Sequence, residues 1–259
     1  VTPSLAFATD LALLSAQGAE VTTGPGGTVV RMPENPAFRW GNFLLVPRAG
    51  DPTARTAEHR AAFPTARFTT VGVDDAHPDL DEGAWLSAGF DIDRLAVLVT
   101  ERAPGAADTG VRLLETDDDW SAETAIALDE DRRADAVQVR FTHLRTLQKR
   151  RMADTGRALW LGVERDGEIV ATAGVADAGD RTARFQDVQT RAAHRRQGHA
   201  AALVAAGVRR AAERFGSRRF VLVAERSGPA IGLYRRLGFR EVETQLQLSR
   251  VDPAVGMDA

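Results

Sequence analysis

Apolar positions in the first hundred residues fall in short blocks divided by turn-forming residues. The run over residues 5–16 reads as a helix, and the blocks at 20–23, 28–32 and 43–46 read as strands. Gly24-Pro25-Gly26-Gly27 breaks the first two strands apart, while Asn35-Pro36 and Pro47-Arg48-Ala49-Gly50 bracket a segment around Trp40-Gly41-Asn42. A helix over 54–62, a strand over 68–73, an acidic loop over 74–82, a short segment at 84–88 and a strand over 95–100 complete a small mixed sheet.

Residues 102–110 are small, contain Pro and Gly, and have almost nothing to bury, which predicts a linker with its boundary near residue 105. Two domains follow, 1–105 and 106–259. Beyond the linker the pattern is more regular: a strand over 111–115, a helix from the acidic start Asp117-Asp118-Asp119 through about Arg133, and a strongly charged helix over 137–154. Strands at 159–164 and 168–175 are joined by Asp166-Gly167, a hairpin-favouring pair, and a looser turn leads into a strand over 182–190. A long Ala-rich helix over 198–214, a β-branched strand over 219–224, a helix over 229–237 and an alternating strand over 241–248 close the chain. This order suits an α/β or α+β layer in which helices cover a mixed, largely antiparallel sheet.

Composition narrows the chemistry. The chain has 259 residues with 44% apolar and 27% charged side chains, within the range of ordinary globular proteins. A net charge of −3 supplies no global attraction to nucleic acid or anionic lipid. With no Cys, disulfides, thiolate nucleophiles and Cys-based metal sites are excluded. His143, His194 and His199 show no metal-ligand spacing, so no metal is expected. No signal-like start and no run of 18 uncharged apolar residues occur, and the expectation is a soluble, cytoplasmic protein with no nucleic-acid or membrane partner.

The sharpest local feature is the stretch from Val188 to Ala200. A strand ends, the chain turns through Arg191, Arg195 and Arg196, and Gly198 opens a long helix. Gly permits a close backbone approach where unpaired N–H groups and the positive end of a helix point outward, a geometry suited to phosphate. Taken alone, the same residues also suit a solvated helix cap.

The segment Arg195-Arg196-Gln197-Gly198-His199-Ala200 resembles the Arg/Gln-x-x-Gly-x-Gly/Ala signature of the GNAT superfamily, the acyl-CoA-dependent N-acyltransferases. Val188 and Thr190 stand before it where that family's cofactor-contacting strand ends. The stretch from Ser227 through Ala230 and Tyr234 to Gly238-Phe239 is similar to the family's Asn-x-x-Ala-x-x-x-Tyr-x-x-x-Gly-Phe. The resemblance implies an acyl-CoA N-acyltransferase fold and acetyl-CoA as co-substrate. It also implies pantetheine contacts from the backbones of Val188 and Thr190, and pyrophosphate contacts from the amides of Arg196, Gln197, Gly198, His199 and Ala200. Tyr234 would protonate the leaving thiolate. Ser227 replaces the family's Asn, and offers a shorter hydrogen-bonding group.

The family has no fixed general base, and Asp187 and Glu225 are the candidates, with His143 also within the possible reach of the acceptor. The basic residues of the helix over 137–154, among them Arg145 and Lys149, read as a solvated face or as a lure for an acidic substrate. In the first half, Trp85 to Val99 aligns without a gap on Tyr234 to Leu248, which predicts a degenerate second copy lacking the cofactor loop. The segment from Asn35 to Phe43 reads as a packing corner or as a wall of the acceptor site. The expected function is transfer of an acetyl group from acetyl-CoA to an amine on a small molecule or protein, by a monomer or homodimer. A non-catalytic acyl-CoA-binding or regulatory module and a structural interaction protein are the alternatives.

Overall fold

The computed structural model describes residues 2–105, 110–130 and 135–252. Part of the expected linker, residues 106–109, and the expected helix end at 131–133 lie outside the described residues. Contacts gather the chain into two compact units. The first comprises Val1–Val97, Val223–Gly228 and Val242–Ala259; the second comprises Leu98–Leu222 and Pro229–Glu241.

The opening elements are α1 (Leu5–Ala16), the hairpin β1 (Glu20–Gly24) and β2 (Gly27–Arg31), β3 (Phe43–Val46), α2 (Pro52–Ala62), β4 (Phe68–Val73), α3 (Glu82–Ser87) and β5 (Asp91–Thr100). Then come β6 (Val111–Leu113), α4 (Asp117–Glu130), α5 (Ala136–Asp154), β7 (Ala158–Arg165), β8 (Glu168–Asp177), β9 (Thr182–Thr190), α6 (His199–Phe215), β10 (Arg219–Glu225), α7 (Ala230–Arg236) and β11 (Arg240–Val251). Among the described residues no helix is long and apolar enough to cross a membrane.

In the first unit the strands lie in the order β1-β2-β3-β4-β11-β5. β3 and β4 are parallel, with α2 as their crossover, and β11 runs antiparallel to β4 from Leu246↔Val73 to Val251↔Phe68. Leu246 and Leu248 are fully buried in a core with Val71, Val73, Trp85 and Phe90. The last strand of the sequence is therefore a core strand of the first unit. The segment before β3 is a packing corner: a 3-10 turn spans Arg39–Gly41, and the Asn42 side chain accepts from Met32 N and donates to Asn35 O and Phe38 O. That turn went unread because three residues carry no periodicity.

In the second unit the order is β10-β9-β8-β7-β6, antiparallel from β6 to β9 and parallel between β9 and β10. The β7–β8 hairpin turns at Asp166 and Gly167, both at positive φ (52° and 81°), the conformation that an Asp-Gly turn supplies. Leu161, Val163, Val170, Ala171, Ala173, Leu203 and Ala206 form one core in which α6 contributes its small-residue face.

Candidate cofactor and acceptor site

The β9–α6–β10 crossover places a sharp loop at the start of α6. β9 pairs with β10 over Thr182–Arg184, and its later residues, including Val188 and Thr190, lie past that ladder. Thr190 remains paired with Ala171 of β8. Past Thr190, the Arg191 amide donates to Val170 O and the Arg195 Nε donates back to Thr190 O at 3.0 Å, which folds the loop onto the strand end. Arg196 and Gly198 both adopt left-handed backbone, at φ 66° and 87°. Gly198 is the N-cap of α6, with no side-chain cap and no acidic residue in the first turn. The first amides of a 17-residue helix are thus left for an anion. Gln197 is exposed, Ala200 half-buried and His199 buried. His199 sits 5% exposed with its Nε2 unpartnered, and burial, reinforced by the charges of Arg165 and His194, holds its pKa below the ordinary imidazole value.

Upstream of the loop, β9 bulges. The β8–β9 register steps from Thr172↔Gln189 to Gly174↔Gln186, so Asp187 and Val188 oppose Ala173 alone. Asp187 takes φ 48°, the left-handed region that a short polar side chain tolerates best after glycine. Its carboxylate meets Lys149 of α5, with Nζ 3.1 Å from Oδ2. Lys149 Nζ also lies 2.7 Å from Glu123 Oε1 of α4, and Thr172 Oγ1 donates to the other Glu123 oxygen. Although burial opposes it, the charges of Lys149, Arg145 and Arg184 hold Asp187 below the ordinary carboxylate pKa. Lys149 is pushed the other way: burial lowers it, but Asp187 and Glu123 together raise it above the usual ammonium value.

Tyr234 lies in the same unit, buried at 5% exposure, with its ring 6.3 Å from that of Phe239. Burial pushes its phenol up to about 12. Glu225 and Ser227 fall among the residues grouped with the first unit, where both are exposed and Glu225 helps to raise the Asp93 pKa behind burial and Asp91. The structure therefore brings Asp187, Val188, Thr190, Tyr234 and the loop from Arg195 to Ala200 into one unit, without Glu225 and Ser227. Sequence reading missed Glu123 and read Lys149 as part of a solvated face or of a lure for an acidic substrate, yet Lys149 is only 5% exposed. The available signal was the polar stripe Thr142, Thr146, Lys149 at helical spacing, buried together on α5.

The segment aligned with Tyr234 to Leu248 shares its local turn. Gly238 N donates to Arg235 O and Phe239 N to Tyr234 O; in the first unit Gly89 N donates to Leu86 O and Phe90 N to Trp85 O. Gly238 and Gly89 both have positive φ, 88° and 78°.

Residues 118–239 match the family model described as Acetyltransferase (GNAT) family. No curated protein matches the chain. Among solved structures, a functionally unknown conserved protein from Staphylococcus epidermidis is similar at a TM-score of 0.68 and 14% identity, covering 91% of this chain and 95% of that one. A GCN5-related N-acetyltransferase from Kribbella flavida is similar at 0.63 and 18% identity, covering 97% of each chain. A tandem GNAT protein from the clavulanic acid biosynthesis pathway is similar at 0.55 and 16% identity, covering 97% of this chain and 94% of that one. At these identities the likeness is one of fold, and the mixed, largely antiparallel sheet flanked by helices agrees with it. The likeness to the GNAT family model thus covers residues 118–239, and the likeness of fold extends over most of the chain.

Proposed function

We propose that the protein is an acetyl-CoA-dependent N-acetyltransferase in which an amine attacks the thioester directly. The observation that carries this reading is the uncapped start of α6, with Arg196 and Gly198 in left-handed backbone, on the residues that match the family signature. The amides from Arg196 to Ala200 would hold the pyrophosphate and the basic loop would add charge. The bulged backbone at Val188, with Thr190, would hold the pantetheine arm. Acetyl-CoA supplies the activated acyl group.

In the reaction the acceptor nitrogen forms a bond to the acyl carbon and the C–S bond breaks. A carboxylate that stays ionised at low pH is a weak base, so Asp187 suits the cationic N–H of the tetrahedral adduct better than a ground-state ammonium. Tyr234 faces the converse limit. Its phenol, at about 12, is far less acidic than an ordinary thiol at about 8.5, so full proton transfer to the thiolate is uphill. Tyr234 therefore serves as a hydrogen-bond donor to the departing sulfur, and solvent completes the protonation.

We read residues 1–105 as a degenerate copy of the same fold and 106–259 as the catalytic copy, whose closing strand folds into the first unit. The matched turns after Trp85 and Tyr234 and the likeness to a protein described as tandem support this. Trp85 stands where the catalytic copy has Tyr234, so the first copy has a structural role. Calorimetric titration with acetyl-CoA, beside free CoA and a Gly198→Trp variant, tests the central claim. Saturable binding that the variant loses is expected; absence of binding to folded wild type overturns it.

A further inference from the structure

Lys149 is a buried cation that neither the cofactor loop nor the departing sulfur uses. It stands between two carboxylates of unequal exposure: Glu123 on α4 is fully buried, whereas Asp187 on β9 is 34% exposed. Its ammonium also sits 5.8 Å from the Trp160 ring centroid. Burying a carboxylate or an ammonium costs several kcal/mol unless each is paired and hydrogen-bonded. The arrangement meets that requirement at Glu123, which takes Lys149 on one oxygen and Thr172 on the other. At Asp187 the Lys149 ammonium meets the carboxylate through Oδ2, on a strand residue held in left-handed backbone.

We propose that Lys149 is a positioning residue of the acyl-transfer site, anchored by Glu123, which fixes the Asp187 carboxylate at the bulge with Oδ2 held and Oδ1 turned to the acceptor. The inference rests on the reading of Asp187 as the base. In the step itself the adduct N–H passes its proton to Asp187 Oδ1, and the electron pair of that bond stays on the new amide nitrogen. Lys149 keeps all its protons and touches neither acceptor nor cofactor. The other charged groups acting on this carboxylate are Arg145 from α5 and Arg184 from β9 itself, so loss of Lys149 removes part, not all, of the positive field.

The test compares Lys149→Met, Asp187→Asn and the double variant Glu123→Gln/Lys149→Met, in which no buried carboxylate is left without its cation. Carboxyl-carbon NMR titration, with Asp187→Asn for assignment, reads the Asp187 midpoint directly. CoA release from acetyl-CoA with methylamine as acceptor gives the pH profile. In both Lys149 variants the midpoint and the acid limb should rise by about one unit or more, because an opposite charge at contact distance has gone. CoA release should fall at least tenfold, and acetyl-CoA affinity should stay at the wild-type value. An unchanged Asp187 midpoint, or wild-type CoA release and pH profile in both variants while Asp187→Asn is inactive, overturns the role of Lys149 and leaves the base reading standing. Full activity in Asp187→Asn removes the base reading, and this inference with it.

Discussion

Each unit contains a strand, a loop, a helix and a parallel strand, β3–α2–β4 in the first and β9–α6–β10 in the second, yet the two helices begin in opposite ways. At α2 the N-cap is Asp51, whose carboxylate accepts from Ala54 N at 2.9 Å, and Pro52 follows with no N–H to offer. Arg55 fastens the loop from the other side, donating to Ala49 O and Arg48 O and pairing with Glu58 at 2.6 Å. At α6 the N-cap is Gly198, and no side chain covers the amides. Topology alone thus does not make an anion site. The same crossover is sealed by its own carboxylate, with Pro52 and Arg55 beside it, in one unit and left open in the other.

The largest effect should come from closing the open crossover. Gly198→Asp places a carboxylate where Asp51 stands, at a positive φ that Asp tolerates better than most residues. It would occupy the helix amides and repel phosphate. Acetyl-CoA binding should weaken about a hundredfold or more, roughly 2.7 kcal/mol, with the thermal midpoint little changed. Calorimetry checks this, and wild-type affinity in the variant would detach cofactor binding from the α6 start.

A third helix start sharpens the comparison, because α1 is sealed neither by emptiness nor by its own cap alone. Ser4 caps Phe7 N, but Glu243 of β11 also receives Ser4 Oγ at 2.8 Å, Leu5 N at 3.0 Å and Ala6 N at 2.8 Å. A carboxylate from the far end of the sequence fills the anion position of the first helix. Glu243→Gln would turn an amide NH2 towards backbone donors, and should cost about 2 kcal/mol. The urea midpoint should fall without a change in slope; an unchanged midpoint would show that Ser4 suffices.

How much of this was legible follows the range of the interactions. Helix and strand positions came from local periodicity, and the proposed cofactor loop from a motif whose residues are adjacent in sequence. The sealing of α1 by Glu243 was not readable, since the two are separated by more than two hundred positions and an alternating strand does not name its neighbour. For the same reason the cut near residue 105 could not foresee that residues 242–251 build the first unit's sheet. The burial of Lys149 went unread because helix α5 buries a polar stripe, which a hydrophobic pattern does not mark. The bulge at Asp187 carries no glycine to announce it.

The units also differ at the turn after their short helices, where Trp85 and Tyr234 occupy aligned positions. Trp85 packs edge-on against Phe90 at 4.7 Å and is 1% exposed, a core residue in every respect. Tyr234→Phe keeps the ring and removes the hydroxyl, so acetyl-CoA affinity should hold while turnover falls about tenfold to a hundredfold. Because burial pushes the phenol up to about 12, it stays protonated and donating through neutral pH. Wild-type turnover should then show no descending limb from Tyr234 below about pH 10. Unaltered turnover in the variant would make Tyr234 the structural equal of Trp85.

The smallest effect should come from opening the sealed crossover. Asp51→Ala removes one cap hydrogen bond from an exposed helix start, worth about 1 kcal/mol, and should lower the urea midpoint by a corresponding amount. It should not create a second cofactor site. Pro52 still withholds a donor, and the Arg55 guanidinium remains committed to loop carbonyls and Glu58. The clean reading is made in the Gly198→Asp background, where the α6 site is closed and any remaining acetyl-CoA binding belongs to the first unit. No binding there means that the first crossover lost its anion site through several residues together, whereas restored binding would place the whole difference between the two units in Asp51.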